Sequence, residues 1–320
     1  MTFEKLMREP LSALIATSML LAVGSAAQAT KDSRTDAEQT DEIVVTGQKT
    51  RTEIIQDLIV NQFNISRGGR NNGQYARFAA PICPSVGGLP EKQAAIIEDR
   101  IRDIAEVAGL SVAPAKCREN LFVVAVDDGA KEIESLRKKR ANLFNSLSHR
   151  ERDKMMENGG PVYSWKSTVA MSNGGRHSAR AGTIDIISDS LGPISVRGQR
   201  SHVKSKVQRS DFVGINYSYL LIENKALKDI SLNQLSDYAA LVSLIDIDVN
   251  FETVPPINSI LSLFSKSPAG QGKLGSISEG DLLMLRGLYK VPANVKAPLQ
   301  RSAMLHTIDE ALKSEEKPEK

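Results

Sequence analysis

An α+β fold is expected for this chain: one domain in which helices pack on a mixed sheet. Two observations predict it. Segments of strand composition (120–126, 162–171, 183–187, 215–222) are interspersed with segments of helical apolar spacing (94–108, 133–144, 232–245). Helices and strands also lack the regular alternation of a doubly wound parallel sheet. A length of 320 residues allows a sizeable core, and 41% hydrophobic with 25% charged residues is ordinary for a globular protein. The net charge of +3 is mild and its basic residues are dispersed, which gives no reason to expect a nucleic-acid partner.

The first element is a secretion signal over 1–29. Lys5 and Arg8 precede an apolar run from Leu11 to Val23, and Ala27-Gln28-Ala29 places small residues at −3 and −1 of a cleavage site after Ala29. The run is too short for a stable membrane span, so a periplasmic or secreted protein is expected, with no span left after cleavage. An oxidising compartment makes the two cysteines, Cys83 and Cys117, a disulfide pair.

Residues 30–77 read as a flexible arm. It contains DEIVVTGQK at 41–49, four β-favouring residues in a polar stretch, and a short amphipathic helix on Ile54, Ile55, Leu58 and Ile59. The globular domain is expected over 78–310. Leu89-Pro90 opens a helix with Ala94, Ile97, Ile101, Ile104 and Ala108 on one face, closed by Gly109 at C′. NLFVVAV (120–126) is a buried strand ending at Asp127-Asp128-Gly129, and a helix with a basic RKKR face (137–140) follows. The strands at 162–171 and 183–187 look like arms of a long hairpin. INYSYLLI (215–222) is a further strand, and 232–245 is a helix on Leu235, Tyr238, Ala239, Val242 and Ile245. A short apolar segment (258–264) and a last core helix (282–289) precede a solvated tail at 311–320.

Chemistry-bearing motifs are sparse. His149, His177, His202 and His306 are nowhere three or four residues apart, so no helix face offers two imidazoles to a metal. His177 beside Ser178 reads as a loop histidine, and His149 and His306 as helix-surface residues. Asp127-Asp128 is a turn more readily than a ligand pair. Asp246, Asp248 and Glu252 alternate with apolar residues and offer oxygen ligands for Ca²⁺, without the EF-hand spacing.

The order strand (INYSYLLIENKAL), helix (LNQLSDYAALVSL), apolar turn (INSILSLF) and acidic-capped helix (GDLLMLRGLY), over 211–290, resembles the distal half of matrixin-type zincin metallopeptidases. The resemblance implies a zincin-like shape. It puts Gln234 and Tyr238 where the two histidine ligands of H-E-x-x-H stand, and Leu235 where the catalytic glutamate stands. No ligand or general base follows, and no cofactor is expected. D-E-I-V-V-T-G-Q, P-I-C-P (81–84) with G-L-P, A-I-I-E-D-R-I-R, C-R-E-N-L and Q-L-S-D-Y-A-A-L together resemble exported proteins of sphingomonad-type alphaproteobacteria, which carry no assigned activity. Glu42, Ile43, Val44, Val45, Thr46 and Gly47 also resemble the TonB box of outer-membrane receptors. That implies strand addition to a TonB-like partner, although the chain lacks the alternating strands of a receptor barrel. A binding or envelope-associated role without catalysis is expected. A divergent metallopeptidase-like hydrolase and a structural envelope protein are the alternatives.

Overall fold

The computed structural model describes residues 50–63, 65–66, 73–157, 160–172, 184–188, 192–196, 211–249, 259–265 and 274–315. The secretion signal, the Glu42–Gly47 segment, His177, Ser178, His202, Glu252 and the 316–320 end of the tail lie outside them.

Helix α1 (Arg51–Gln62) opens with a capping box, the Thr50 hydroxyl accepting from Glu53 N while the Glu53 carboxylate accepts from Thr50 N. Its Ile55 and Ile59, and Phe63 beyond it, are buried in the main core. The folded unit therefore begins on the N-terminal side of residue 78, because the helix inside the expected arm contributes its apolar face to the same core. Strands β1 (Ile65–Ser66) and β2 (Gln74–Tyr75) pair antiparallel, and β3 (Arg77–Phe78) follows. Next come β4 (Pro84–Gly87), α2 (Glu91–Val107), β5 (Leu121–Val126), α3 (Gly129–Lys139), a 3₁₀ turn at 141–144 and α4 (His149–Glu157). The order continues with β6 (Val162–Ser172), β7 (Ile184–Ser188), β8 (Gly192–Val196), β9 (Asp211–Glu223), α5 (Leu232–Leu244), a 3₁₀ turn at 260–264, α6 (Glu279–Lys290) and α7 (Ala297–Glu315).

The sheet is mixed. β4, β5 and β9 run parallel side by side, and β3 adds parallel to β9 at Gly214–Ile215, upstream of the stretch that pairs with β5. On its other edge β9 pairs antiparallel with the whole of β6. The expected hairpin between β6 and the strand at 184–188 does not form, since β6 takes β9 as partner and β7 pairs with β8. Both strands of the true pair are long enough, at eleven and thirteen residues, for that pairing to outweigh a local connection. One βαβ unit, β4–α2–β5, lies inside the α+β arrangement. α2 ends in a Schellman motif: Leu110 N donates to Ala105 O, Gly109 N donates to Glu106 O, and Gly109 takes φ +87°.

The sheet separates two cores. On one face α2 and α5 pack over Val162, Val213, Ile215, Leu220 and Ile222, and α1, α6 and α7 extend this core. On the other face Ile133, Phe144, Met155, Tyr163, Trp165 and Leu221 form a smaller one under α3, α4 and the 141–144 turn. The helix-surface reading of His306 fits α7, which also runs into the expected 311–320 tail as far as Glu315, and its Met304, Ile308 and Leu312, four residues apart, are buried. His149 and His306 are exposed on α4 and α7. The cysteines are bonded, with Cα atoms 6.0 Å apart. Asn120 ties the bridged segment to the sheet: its Oδ1 accepts from Cys83 N, and its Nδ2 donates to Pro81 O. No helix among the described residues is long and apolar enough to cross a membrane.

Candidate functional site

α5 is the helix on which the zincin resemblance turns, and its surroundings decide what it can do. Ser231 caps it and Gln234 completes the capping box, the Gln234 Oε1 accepting from Ser231 N at 2.9 Å. The Gln234 Nε2 donates to Leu274 O at 2.9 Å. Both polar ends of Gln234 are thus committed to holding the helix start and the segment before α6. Leu235 is buried in the main core, and Tyr238 is 1% exposed with its ring edge-on to Phe264, centroids 4.7 Å apart. Burial pushes the Tyr238 phenol up. Every residue from Leu235 to Leu244 is buried, so the three zincin-helix positions, Gln234, Leu235 and Tyr238, cap and pack and do not line a cleft. The remaining charge on the helix is also matched. Asp237 receives Arg100 Nε from α2 at 2.5 Å and Ile277 N at 2.7 Å.

The carboxylates at the ends of the parallel strands are structural as well. Asp128 caps α3 through Lys131 N, and Asp127 accepts from Asn224 Nδ2 at 2.7 Å. The buried Glu223 carboxylate accepts from Gly129 N at 3.0 Å at the α3 N-terminus, where a negative charge is stabilised, and pairs with Lys225 at 2.7 Å. A side chain at Gly129 would overlap the Tyr163 ring, so glycine there lets the strand end approach that ring. Of the suspected calcium ligands, Asp248 pairs with Lys154 at 3.0 Å. Among the described residues no group of three His, Cys, Asp or Glu could hold a metal ion.

The unusual chemistry lies under the C-terminal turn of α5. The last four carbonyls of a helix lack intrahelical partners. Two of these are taken by side chains from the core: Tyr289 Oη donates to Leu244 O at 2.7 Å, and Lys166 Nζ donates to Val242 O at 2.8 Å. Lys166 is on β6, and the register Val162↔Ile222, Ser164↔Leu220, Lys166↔Ser218 puts these residues on the α5 face of the sheet. Its Nζ also donates to the half-buried Ser164 hydroxyl at 3.1 Å. Lys166 is 3% exposed, and burial lowers its ammonium from 10.5 to about 8, against the opposing field of Asp246 beyond α5. Ser218 opposite Lys166, and Ser243 next to Val242, are fully buried, and neither hydroxyl has a hydrogen-bond partner.

A second buried cation sits at the far side of the same core. Arg77 Nη1 donates to Val291 O at 2.6 Å, while its Nε and Nη2 have no partner. Burial lowers this guanidinium to about 10.

Neither Lys166 nor Ser164 stands out in the sequence. A lysine at alternate position in a strand reads as a solvent-facing residue, and only the packing of α5 over β6 encloses it. No family model, no curated protein and no solved structure shows significant similarity to this chain.

Proposed function

We propose that the protein is exported to the envelope and acts there by binding, with Glu42–Gly47 as an element that adds as a strand to a TonB-like partner and the α+β unit as its carrier. The commitment of Gln234, Leu235 and Tyr238 to capping and packing supports this reading, because it leaves α5 no means of acting as a metallopeptidase helix. On this reading the zincin-like order of elements is a shape kept without its metal chemistry. The Cys83–Cys117 bond fits an oxidising compartment.

Strand addition draws its affinity from main-chain hydrogen bonds and requires only a tethered, extended segment. A peptide spanning 38–50, titrated against a TonB C-terminal domain and followed by NMR shifts, is expected to bind. No binding at millimolar peptide would sink the strand-addition reading and leave the structural envelope role. Metal analysis of the purified mature protein tests the peptidase alternative. Stoichiometric zinc, lost on substitution of His177 or His202, would overturn the binding reading.

A further inference from the structure

We propose that Ser164 and Lys166 form a nucleophile–base pair that transfers acyl groups from small esters, with Ser164 Oγ as nucleophile and the Lys166 amine as general base. The proposal goes beyond the binding role and does not depend on the arm.

The geometry meets the first requirement, since Nζ and Oγ are 3.1 Å apart, within reach of proton transfer. The two side chains differ in access as such a pair requires. Ser164 is half-buried, whereas Lys166 is buried and shielded from water. A serine activated by lysine is an established variant of the nucleophile-and-base arrangement. The Val242 carbonyl fixes the amine by taking one N–H, which leaves the lone pair of the neutral form free to face Ser164.

Capping α5 does not by itself explain a lysine. Tyr289 caps the neighbouring Leu244 carbonyl with a neutral hydroxyl. Burying an ammonium costs several kcal/mol, and mutual attraction offsets that only when a partner charge is in good geometry. Nζ bonds to a hydroxyl and a carbonyl, Ser164 Oγ on β6 and Val242 O on α5, in place of an ion-pair partner, and Ser218 stands opposite it in the β9 register. Asp246 is the charged group acting on the amine, and it favours the ammonium. With an ammonium of about 8, a useful fraction is neutral at physiological pH.

The chemistry balances without another reactant than water. The Lys166 amine takes the Ser164 hydroxyl proton as Oγ adds to the ester carbonyl carbon. The tetrahedral adduct then collapses, and the alkoxide leaves as the alcohol with the proton from Lys166, so that the acyl group stays on Oγ. A water that gives a proton to the same amine attacks the acyl carbon. Oγ departs, recovers that proton, and the free acid is released.

The test uses the purified full-length mature protein, with a fluorophosphonate as covalent probe and p-nitrophenyl acetate as substrate. The expected result is one phosphonyl group per chain, mapped by mass spectrometry to Ser164 and absent in Ser164→Ala. Lys166→Met is expected to label at least 100-fold more slowly, consistent with the 10²–10⁴-fold contribution of a general base. Ester hydrolysis is expected to fall in parallel in both variants. Labelling elsewhere, no labelling, or an unchanged rate in a folded Lys166→Met would overturn the proposal. If Lys166→Met does not fold, the wild-type rate decides. It is expected to rise with pH and level off above about 8, and a flat profile from pH 6.5 to 9.5 would overturn the pair. Binding of the 38–50 peptide is unaffected by any of these outcomes, so the two proposals fail separately.

Discussion

The two faces of the β6–β9 ribbon are made from alternate residues of the same strands, yet they hold opposite chemistry. On the α3 face, Phe144, Trp165, Tyr219 and Phe122 stack in sequence across the sheet, with centroids 4.9, 4.9 and 5.4 Å apart and planes within 18°. The polar atom of that stack with a described bond, Trp165 Nε1, donates to Leu143 O at 3.2 Å. On the α5 face, the intervening residues Ser164 and Lys166 place a hydroxyl and an amine beneath a helix. A bulge at Asn216 of β9, where Ser167 pairs with Tyr217 but Thr168 with Ile215, brings Ile215 and Val213 onto the α5 face below the polar pair. One face is filled for packing alone. The other accepts an expensive group that packing does not require, and such placements concentrate at functional sites.

The contrast can be broken most forcefully in α5. Tyr238→Ala removes a fully buried ring from the main core and is expected to cost ~4 kcal/mol in urea unfolding. A cost below about 1 kcal/mol would mean the helix is not the packed core element described. Loss of the disulfide comes next. Cys83→Ala with Cys117→Ala frees a loop with a sequence separation of 34 and is expected to lower stability by ~3–4 kcal/mol on the chain-entropy view, read as a lower denaturant midpoint.

The third experiment titrates Lys166. Its folded ammonium, at about 8, lies below its ordinary 10.5, so between these values the unfolded chain binds more protons than the folded one. Stability should therefore rise as pH climbs from about 8 towards 9, by an amount on the order of 1 kcal/mol, before ionisation of the unfolded-state tyrosines, ordinarily near 10, opposes the trend. The raised Tyr219, Tyr238 and Tyr289 phenols account for that opposition, since a group raised on folding costs stability above its unfolded value. Chemical denaturation at fixed pH, repeated with Lys166→Met, checks it, and the rise should vanish in the variant. Ser218→Ala carries the smallest effect and an unusual sign. Its hydroxyl is buried without a partner, so removing it is expected to leave stability unchanged or raise it by ~1 kcal/mol, measured by thermal melting.

Much of the secondary structure was legible because it is local. The α2 face spaced at Ala94, Ile97, Ile101 and Ile104, the Gly109 stop, and the β5 and β9 runs follow from periodicity and turn chemistry. The extent of α7 is hard to read locally because its buried residues, Met304, Ile308 and Leu312, are thinly spread among polar ones. The β6 partner is not legible in the sequence because pairing across a long connection leaves no local mark. Gln234 and Tyr238 resemble positions of a lost metal site by sequence order, and the Ser231 capping box and the Phe264 ring account for them.

The sequence by itself determined helices α1, α2, α3, α5 and α6, the β5, β6, β7 and β9 segments, the cysteine pair and the absence of an H-E-x-x-H helix, all set by short-range pattern or by residue identity. Only the tertiary structure decided that β9 is central and that Asp128 and Glu223 cap α3. It alone also brings a strand lysine beside a serine under α5. Burial and proton affinity depend on what lies opposite a side chain, and in β6 the opposing groups come from segments about 50 and 75 residues further along the chain.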